Sequence, residues 1–267
     1  MVANSPTPRR RIFVLLPALN EEEALRQLIP DLFHATDLMP ADVHVIVVDD
    51  GSTDGTAQAA SFAPGKISDA FQVEVQRHEK NRGLAAALTT GLARTLELSR
   101  GDEDTLVAMD ADNTHPPESI PLMVGTIWDG QDIVIASRYQ PGAVQHGVPA
   151  FRRFLSWGAR VLFRLLLPIP GVRDYTCGYR AYRVSLLREA WERTEANLIT
   201  SRGFACTDEL LIKLALITNK IREIPFTLRY DRKPGESKLK LGETIRAQMK
   251  VIGHLRRMRR DGMPPRH

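Results

Sequence analysis

The chain has 267 residues, and 36 Lys and Arg against 32 Asp and Glu leave a formal net charge of +4. With 43% hydrophobic and 25% charged residues it has the composition of a folded globular protein, which excludes a mainly disordered chain. Two cysteines, Cys177 and Cys206, cannot build a disulfide framework, so a reducing, cytoplasmic compartment is expected, and no apolar run reaches the roughly 20 residues of a membrane span.

Residues 1–10 are polar with two prolines and read as a loose arm. Ile12–Leu16 is a short apolar run that passes directly into Asn20-Glu21-Glu22-Glu23, so it reads as a buried strand rather than a leader peptide. A helix is expected over Glu21–His34, a strand over Val43–Val48 and a helix over Thr53–Phe62 with Ser52 or Thr53 at its cap. Strands then follow at Val73–Gln76, Thr105–Met109 and Asp132–Ala136. Helices alternate with them at Leu84–Leu98 and at Pro117–Trp128, which has proline in its first turn. This order predicts an α/β fold with a mostly parallel central sheet and helices on both faces. Beyond it, Phe151–Leu167, Arg183–Arg193, Asp208–Thr218 and Gly242–Arg260 read as helices and Ile221–Tyr230 as a strand. With no repeat or low-complexity linker, the expectation is one domain over 11–240 and a basic C-terminal helix and tail over 241–267.

Three polar clusters each end a predicted strand: Asn20-Glu21, Asp49-Asp50 and Asp110-Ala111-Asp112. In open α/β sheets, ligands bind outside the carboxyl ends of the strands, and right-handed crossovers bring parallel ends to one edge. Clustered carboxylates repel unless a cation or hydrogen-bond donors lie among them, and hard divalent cations take oxygen ligands and bridge carboxylates to phosphates. Asp110 and Asp112, two apart on an extended segment, point the same way. A lone D-x-D is as well explained by a solvated turn. Here it ends an apolar strand and is followed by His115-Pro116-Pro117, which favours function. The stretch Asp49-Asp50-Gly51-Ser52-Thr53-Asp54-Gly55-Thr56 carries more acid than a helix cap needs. Neither G-x-G-x-x-G after the first strand nor a P-loop is present, so the dinucleotide and P-loop readings lack their signatures.

Leu16–Glu21, Val47–Thr56, Lys80-Asn81-Arg82-Gly83-Leu84, Asp110–Pro117, Ser137-Arg138-Tyr139 and Gly235–Leu239 together resemble family 2 glycosyltransferases. Within that family they are most similar to the polyprenyl-phosphate sugar transferases, and the resemblance runs from about Arg11 to about Leu241. It implies a GT-A fold, a nucleotide-sugar donor (GDP- or UDP-hexose), Mg2+ or Mn2+, and an inverting transfer. It further implies that Pro17, Ala18, Asn20, Glu21, Asp49 and Asp50 line the nucleotide pocket with Lys80 nearby. Asp110 and Asp112 would hold the metal and the donor diphosphate, with Asp112 catalytic, and Arg232 and Lys238 would close over the diphosphate. Arg138, catalytic in this scheme, would meet the acceptor phosphate with Arg152, Ser156 and Glu209. Asp174–Arg180 matches the family's D-x-T-x-G-[FY]-R stretch.

The acceptor has two readings. A polyprenyl phosphate is already ionised at neutral pH, because phosphate monoesters have a second pKa of about 6. A hydroxyl must lose its proton to a positioned carboxylate. In the family's hydroxyl enzymes that base sits at a helix start, where this chain reads Phe204–Glu209, so Asp208 is the candidate; an acid placed there by the helix dipole is the rival explanation. Charge favours the lipid. Arg229–His267 holds twelve basic and four acidic residues and Ala150–Arg188 eight and one, leaving an acidic remainder. Arg152–Leu167 is amphipathic, with Arg153, Ser156, Arg160 and Arg164 spaced along one face. Peripheral contact with the cytoplasmic face of a membrane is therefore expected, and no nucleic-acid motif is present. A noncatalytic nucleotide-sugar or membrane-binding module is the other alternative. Cys177, Cys206 and His115 read as packing residues.

Overall fold

The computed structural model describes residues 9–61 and 70–232, together with 249, 252, 253 and 256. Its strands are β1 Arg10–Ala18, β2 Ala41–Asp49, β3 Phe71–Arg77, β4 Thr105–Ala108, β5 Ile133–Ser137, β6 Val144–His146, β7 Arg180–Arg183, β8 Ile221–Pro225 and β9 Thr227–Arg229. Its helices are α1 Glu22–Thr36, α2 Thr56–Ser61, α3 Leu84–Leu98, α4 Ile120–Trp128, α5 Ala150–Leu166, α6 Val184–Arg193 and α7 Ala205–Leu214. Seven strands form one sheet in the order β3-β2-β1-β4-β7-β5-β8, parallel except for β7, which runs antiparallel between β4 and β5. The expected α/β fold is therefore present.

The alternation within β1 accounts for the layering. Ile12, Val14 and Leu16 pack with α1, α2 and α4 on one face, and Phe13 and Leu15 pack with α3, α6 and α7 on the other. All five are fully buried, at about 1.5–3 kcal/mol each relative to exposure. Helix α3 lies close to the sheet because Gly91 faces Leu15: a Cβ there would sit 2.0 Å from a Leu15 methyl.

Sequence reading falls short in several places, among them β6, for which no strand was expected. The arm expected over 1–10 gives up Arg10, which begins β1. The run 221–230 is two strands, broken at Phe226, and the second pairs with β6 in a separate two-stranded sheet. Strand β7 was not expected, since R-A-Y-R reads as polar, yet Arg180 is fully buried. The helix expected over 242–260 lies largely outside the described residues.

Candidate active site

The carboxyl ends of β1, β2 and β4 meet on one edge, as parallel strands require. The first two turns are laced together. Asn20, at φ 53°, donates its backbone N–H to Ser52 Oγ (2.9 Å), and its Oδ1 accepts from the Thr53 N–H (2.9 Å). The Glu21 N–H donates to Thr56 Oγ1 (2.9 Å), and the Gly55 N–H to the Glu22 carboxylate (2.8 Å). The Asp50 N–H donates to the Ala18 carbonyl (2.9 Å), which ties the end of β1 to the β2 turn.

The adjacent acids divide their work. Asp50 is a strut: Oδ1 accepts from His78 Nδ1 (2.7 Å) and the Arg82 N–H (2.9 Å), and Oδ2 from the Gly83 N–H (2.7 Å). These bonds fix the 78–83 loop that carries Lys80. Gly51, at φ +74°, receives the same loop, and a Cβ there would lie 2.5 Å from the Lys80 carbonyl carbon. Asp50, expected in the nucleotide pocket, thus supports Lys80, with both of its oxygens engaged. Asp49 is fully buried: Oδ1 accepts from the Ser52 N–H (2.9 Å), while Oδ2 has no hydrogen bond and an ion pair at 3.3 Å to the half-exposed Arg77. A buried carboxylate oxygen in that state is primed for an N–H or hydroxyl donor from a ligand. Arg77 was missed in the sequence; its signal is that it ends β3 opposite Asp49.

At the end of β4, Asp112 Oδ1 accepts from Thr114 Oγ1 (2.6 Å) and the Thr114 N–H (3.2 Å), which tightens the D-x-D turn around Asn113 at φ 61°. His115 is structural: its Nδ1 accepts from the Asp110 N–H (3.1 Å), and its ring stacks on Tyr179 at 5.0 Å. A Cβ added at Gly178 would lie 3.8 Å from Asp110 Oδ1 and 3.9 Å from the Thr207 methyl, so Asp110 faces the start of α7. The Arg229 N–H donates to the Thr114 carbonyl (2.9 Å), which brings β9 and the following turn with Arg232 to the same edge. Lys238 lies outside the described residues. Among those described, no group of three His, Cys, Asp or Glu side chains could hold a metal by itself. Two aspartates with only oxygen donors do fit a hard cation that completes its shell from water and substrate phosphate.

The β5 end carries Arg138. Asp174 accepts from its backbone N–H (2.9 Å), Nε (2.8 Å) and Nη2 (2.7 Å), and Nη2 also reaches Thr176 Oγ1 (2.6 Å). Burial disfavours both charges, but the pairing outweighs it, holding Asp174 below the usual carboxylate range and Arg138 above its already high value. Glu223, also missed in the sequence, accepts from the backbone N–H groups of Arg173 and Asp174 (2.6 Å each) and so fixes the segment that carries Asp174.

Helix α5 differs from its sequence reading. Only Phe163 is fully buried, while Arg152, Ser156 and Arg160, spaced four apart, form a half-buried line toward the body. Arg152 stacks over Tyr230 at 5.5 Å and Arg160 over Tyr139 at 4.5 Å. Arg153 and Arg164 are exposed, so the expected four-residue polar face is divided between body and solvent.

Two expected residues lie deep. Asp208 is 1% exposed, in the first turn of α7, and its charge acts on the fully buried Arg180 guanidinium. Glu209 is equally buried. Its carboxylate accepts from the backbone and hydroxyl of both Thr200 and Ser201 and pairs with Lys213 at 2.7 Å. Burial alone would raise its pKa; these donors outweigh that and hold it at about 2. Glu209, expected at the acceptor, has both carboxylate oxygens engaged in anchoring the segment that carries Thr200 and Ser201. Both cysteines are buried, and burial pushes the Cys177 thiol up to about 12, so neither suits a nucleophile. A cavity of about 770 Å³ at the opposite edge, lined in part by Asp132, Ser185, Arg188 and Lys220, includes none of the strand-end carboxylates.

The family model described as Glycosyl transferase family 2 matches residues 13–191, which span β1 to α6 and every strand-end carboxylate described above. The chain belongs to glycosyl transferase family 2. It is an enzyme of the glycosyltransferase class, which removes the noncatalytic alternative. The transferase is 34% identical to the polyprenol monophosphomannose synthase of Mycolicibacterium smegmatis, over 91% of its own length and 85% of that protein. It is 33% identical to the undecaprenyl-phosphate mannosyltransferase of Micrococcus luteus, over 87% and 88%. With the dolichol-phosphate mannosyltransferase of Pyrococcus furiosus it shares 36% identity over 92% of its own chain but 63% of the relative. Among solved structures it is similar to glucosyl-3-phosphoglycerate synthase from Mycobacterium tuberculosis in complex with Mn2+, UDP and glucosyl-3-phosphoglycerate, at TM-score 0.63 and 24% identity, over 96% of this chain and 81% of that one. That likeness, together with the family and the mostly parallel seven-stranded sheet, makes the fold GT-A. No described helix of the transferase is long and apolar enough to cross a membrane.

Proposed function

We propose that the transferase is an inverting, divalent-metal-dependent hexosyltransferase that moves a sugar from a GDP- or UDP-hexose to a polyprenyl phosphate at a membrane surface. The observation that carries this reading is α5. Phe151, Phe154, Trp157, Val161 and Leu165 recur at spacings of three and four and are 36–74% exposed, with Arg153 and Arg164 alongside. An apolar stripe edged by arginines suits the boundary between acyl chains and anionic headgroups. The same helix turns Arg152, Ser156 and Arg160 toward the side where Arg138 lies. An acceptor embedded in the bilayer would thus present its phosphate to guanidinium groups, whose planar fork matches phosphate oxygens.

On the donor side, Asp49 would take a base N–H, with Pro17, Ala18, Asn20, Glu21 and Lys80 around the nucleotide. Asp110 and Asp112 would hold Mg2+ or Mn2+, which when bound neutralises charge on the departing diphosphate. Arg232 and Lys238, which follow β9 in the sequence, would close over that diphosphate. The acceptor phosphate is already anionic, so it attacks the anomeric carbon from the side opposite the diphosphate without giving up a proton. The burial of Asp208 beside Arg180 supports this choice, because a general base must reach the hydroxyl it deprotonates. The test is transfer of radiolabelled hexose from nucleotide-sugars into the organic phase of vesicles with and without polyprenyl phosphate. Acceptor- and metal-dependent labelling is expected; labelling of a water-soluble hydroxyl acceptor alone would overturn the proposal.

A further inference from the structure

Helix α5 meets the body through Phe163, Leu162 and Leu166, which pack against the core, and through three contacts to aromatic rings. Phe163 stacks on Tyr175 with centroids 5.5 Å apart and planes 9° from parallel. Arg152 lies over Tyr230, and Arg160 lies over Tyr139 with its guanidinium carbon 4.5 Å from the ring centroid. Tyr139 carries a second cation, since the Arg138 guanidinium carbon is 5.6 Å from the same centroid. One half-buried ring at the end of β5 therefore takes a guanidinium from the sheet and another from the exposed helix.

We propose that Tyr139 is a positioning residue which couples the seating of α5 to Arg138, so that acceptor binding depends on how the helix rests on the body; this rests on the acceptor reading given above. The physical basis is the ring quadrupole. Its negative face attracts cations within about 6 Å, more strongly where water is excluded. Of the α5 side chains Phe163 alone is fully buried, with Leu162 and Leu166 partly buried against the core, so the contacts at Tyr139 contribute to how the helix sits. Asp174 pairs with Arg138, while among the described side chains Arg160 has no carboxylate within salt-bridge distance and lies over the Tyr139 face. Burial disfavours ionisation of the Tyr139 phenol, so the ring stays neutral and keeps its affinity for both cations. A helix lifted by loss of this contact would move Arg152 and Ser156 together with Arg160, because all three share one face.

The experiment compares Tyr139→Phe, Tyr139→Leu, Arg160→Gln and the Tyr139→Leu/Arg160→Gln double variant in full-length protein with vesicles containing polyprenyl phosphate. Acceptor KM, donor KM, kcat and melting temperature are measured for each. Tyr139→Leu should raise acceptor KM by about tenfold, with donor KM unchanged and a melting temperature only a few degrees lower, while Tyr139→Phe behaves as the parent because the ring is kept. The double variant should be no worse than the poorer single variant within about twofold, as expected for two residues acting through one contact. An unchanged acceptor KM in Tyr139→Leu, additive losses in the double variant, equal damage in Tyr139→Phe, or an equal rise in donor KM would each overturn this proposal alone. Absence of lipid product from the parent enzyme would overturn it together with the acceptor reading.

Discussion

Replacing Asp50 by Asn tests whether the second acid of the β2 turn is a strut or a ligand contact. The carboxylate is 4% exposed and accepts three donors at 2.7–2.9 Å. An amide has one acceptor oxygen. Its best orientation keeps that oxygen on His78 and Arg82 and turns NH2 toward the Gly83 N–H, where donor faces donor. One bond to a charged acceptor is lost, at about 1.5–3 kcal/mol, and the other two lose their charge assistance. A total near 3 kcal/mol is expected, which at about 2–4 °C per kcal/mol for a large domain lowers the melting temperature by about 6–12 °C. Freed from Asp50, the loop would no longer hold Lys80, so nucleotide affinity should fall along with stability. Differential scanning calorimetry and titration with GDP and UDP in the presence of Mn2+ measure both. A variant that melts within a degree of the parent yet has lost nucleotide binding would refute the strut and make Asp50 a direct contact.

Asp49→Asn should behave in the opposite way: Oδ2 has no hydrogen bond to lose, so melting stays within a few degrees while nucleotide affinity drops by about tenfold or more, as read by the same titration. Asp208→Asn should retain transfer to lipid phosphate within about tenfold, since no base is needed there; a loss of several orders of magnitude with donor binding intact would favour a hydroxyl acceptor. Glu209 gives a pH signature. Its folded pKa, about 2, lies below the ordinary 4.5, so its contribution is present above about pH 4.5 and is lost as pH falls toward 2. Urea midpoints measured from pH 6 to pH 3 should decline, and Glu209→Gln should be less stable at pH 6 with a shallower decline. Phe154→Glu with Trp157→Glu should abolish flotation with anionic vesicles while leaving melting unchanged, because both side chains are more than half exposed; persistent flotation would remove α5 as the membrane contact.

The alternation of apolar runs with helical stretches was enough to locate the sheet and the carboxylates at the ends of β2 and β4, because strand periodicity and turn residues are local properties. What escaped depends on distant partners. Strand β7 contributes two arginines and a tyrosine to the middle of the sheet, and a buried Arg180 is tolerable because it donates to the carbonyls of Tyr175 and Thr207 and lies near the Asp208 carboxylate. Glu209 and Lys213 have the spacing of a solvated helix pair, yet both are buried against the 197–201 segment. Asp49 and Asp50 are indistinguishable as letters; the fold separates them, since alternate residues leave the strand on opposite sides and the Asp50 carboxylate, not that of Asp49, bonds to the Lys80 loop. The resemblance to family 2 glycosyltransferases assigned a role to Arg138 but none to Glu223, or to Tyr139 within the same Ser137-Arg138-Tyr139 motif, because their roles depend on what they touch.

The central claim is that the sugar is transferred to a phosphate oxygen. Phosphorus NMR of a reaction containing a nucleotide-hexose, Mg2+ and a short-chain polyprenyl phosphate tests it most directly. Conversion of the acceptor phosphomonoester signal into a phosphodiester, in step with release of the nucleoside diphosphate, is the predicted result. An unchanged phosphomonoester signal while a hydroxyl acceptor in the same tube becomes glycosylated would contradict the account.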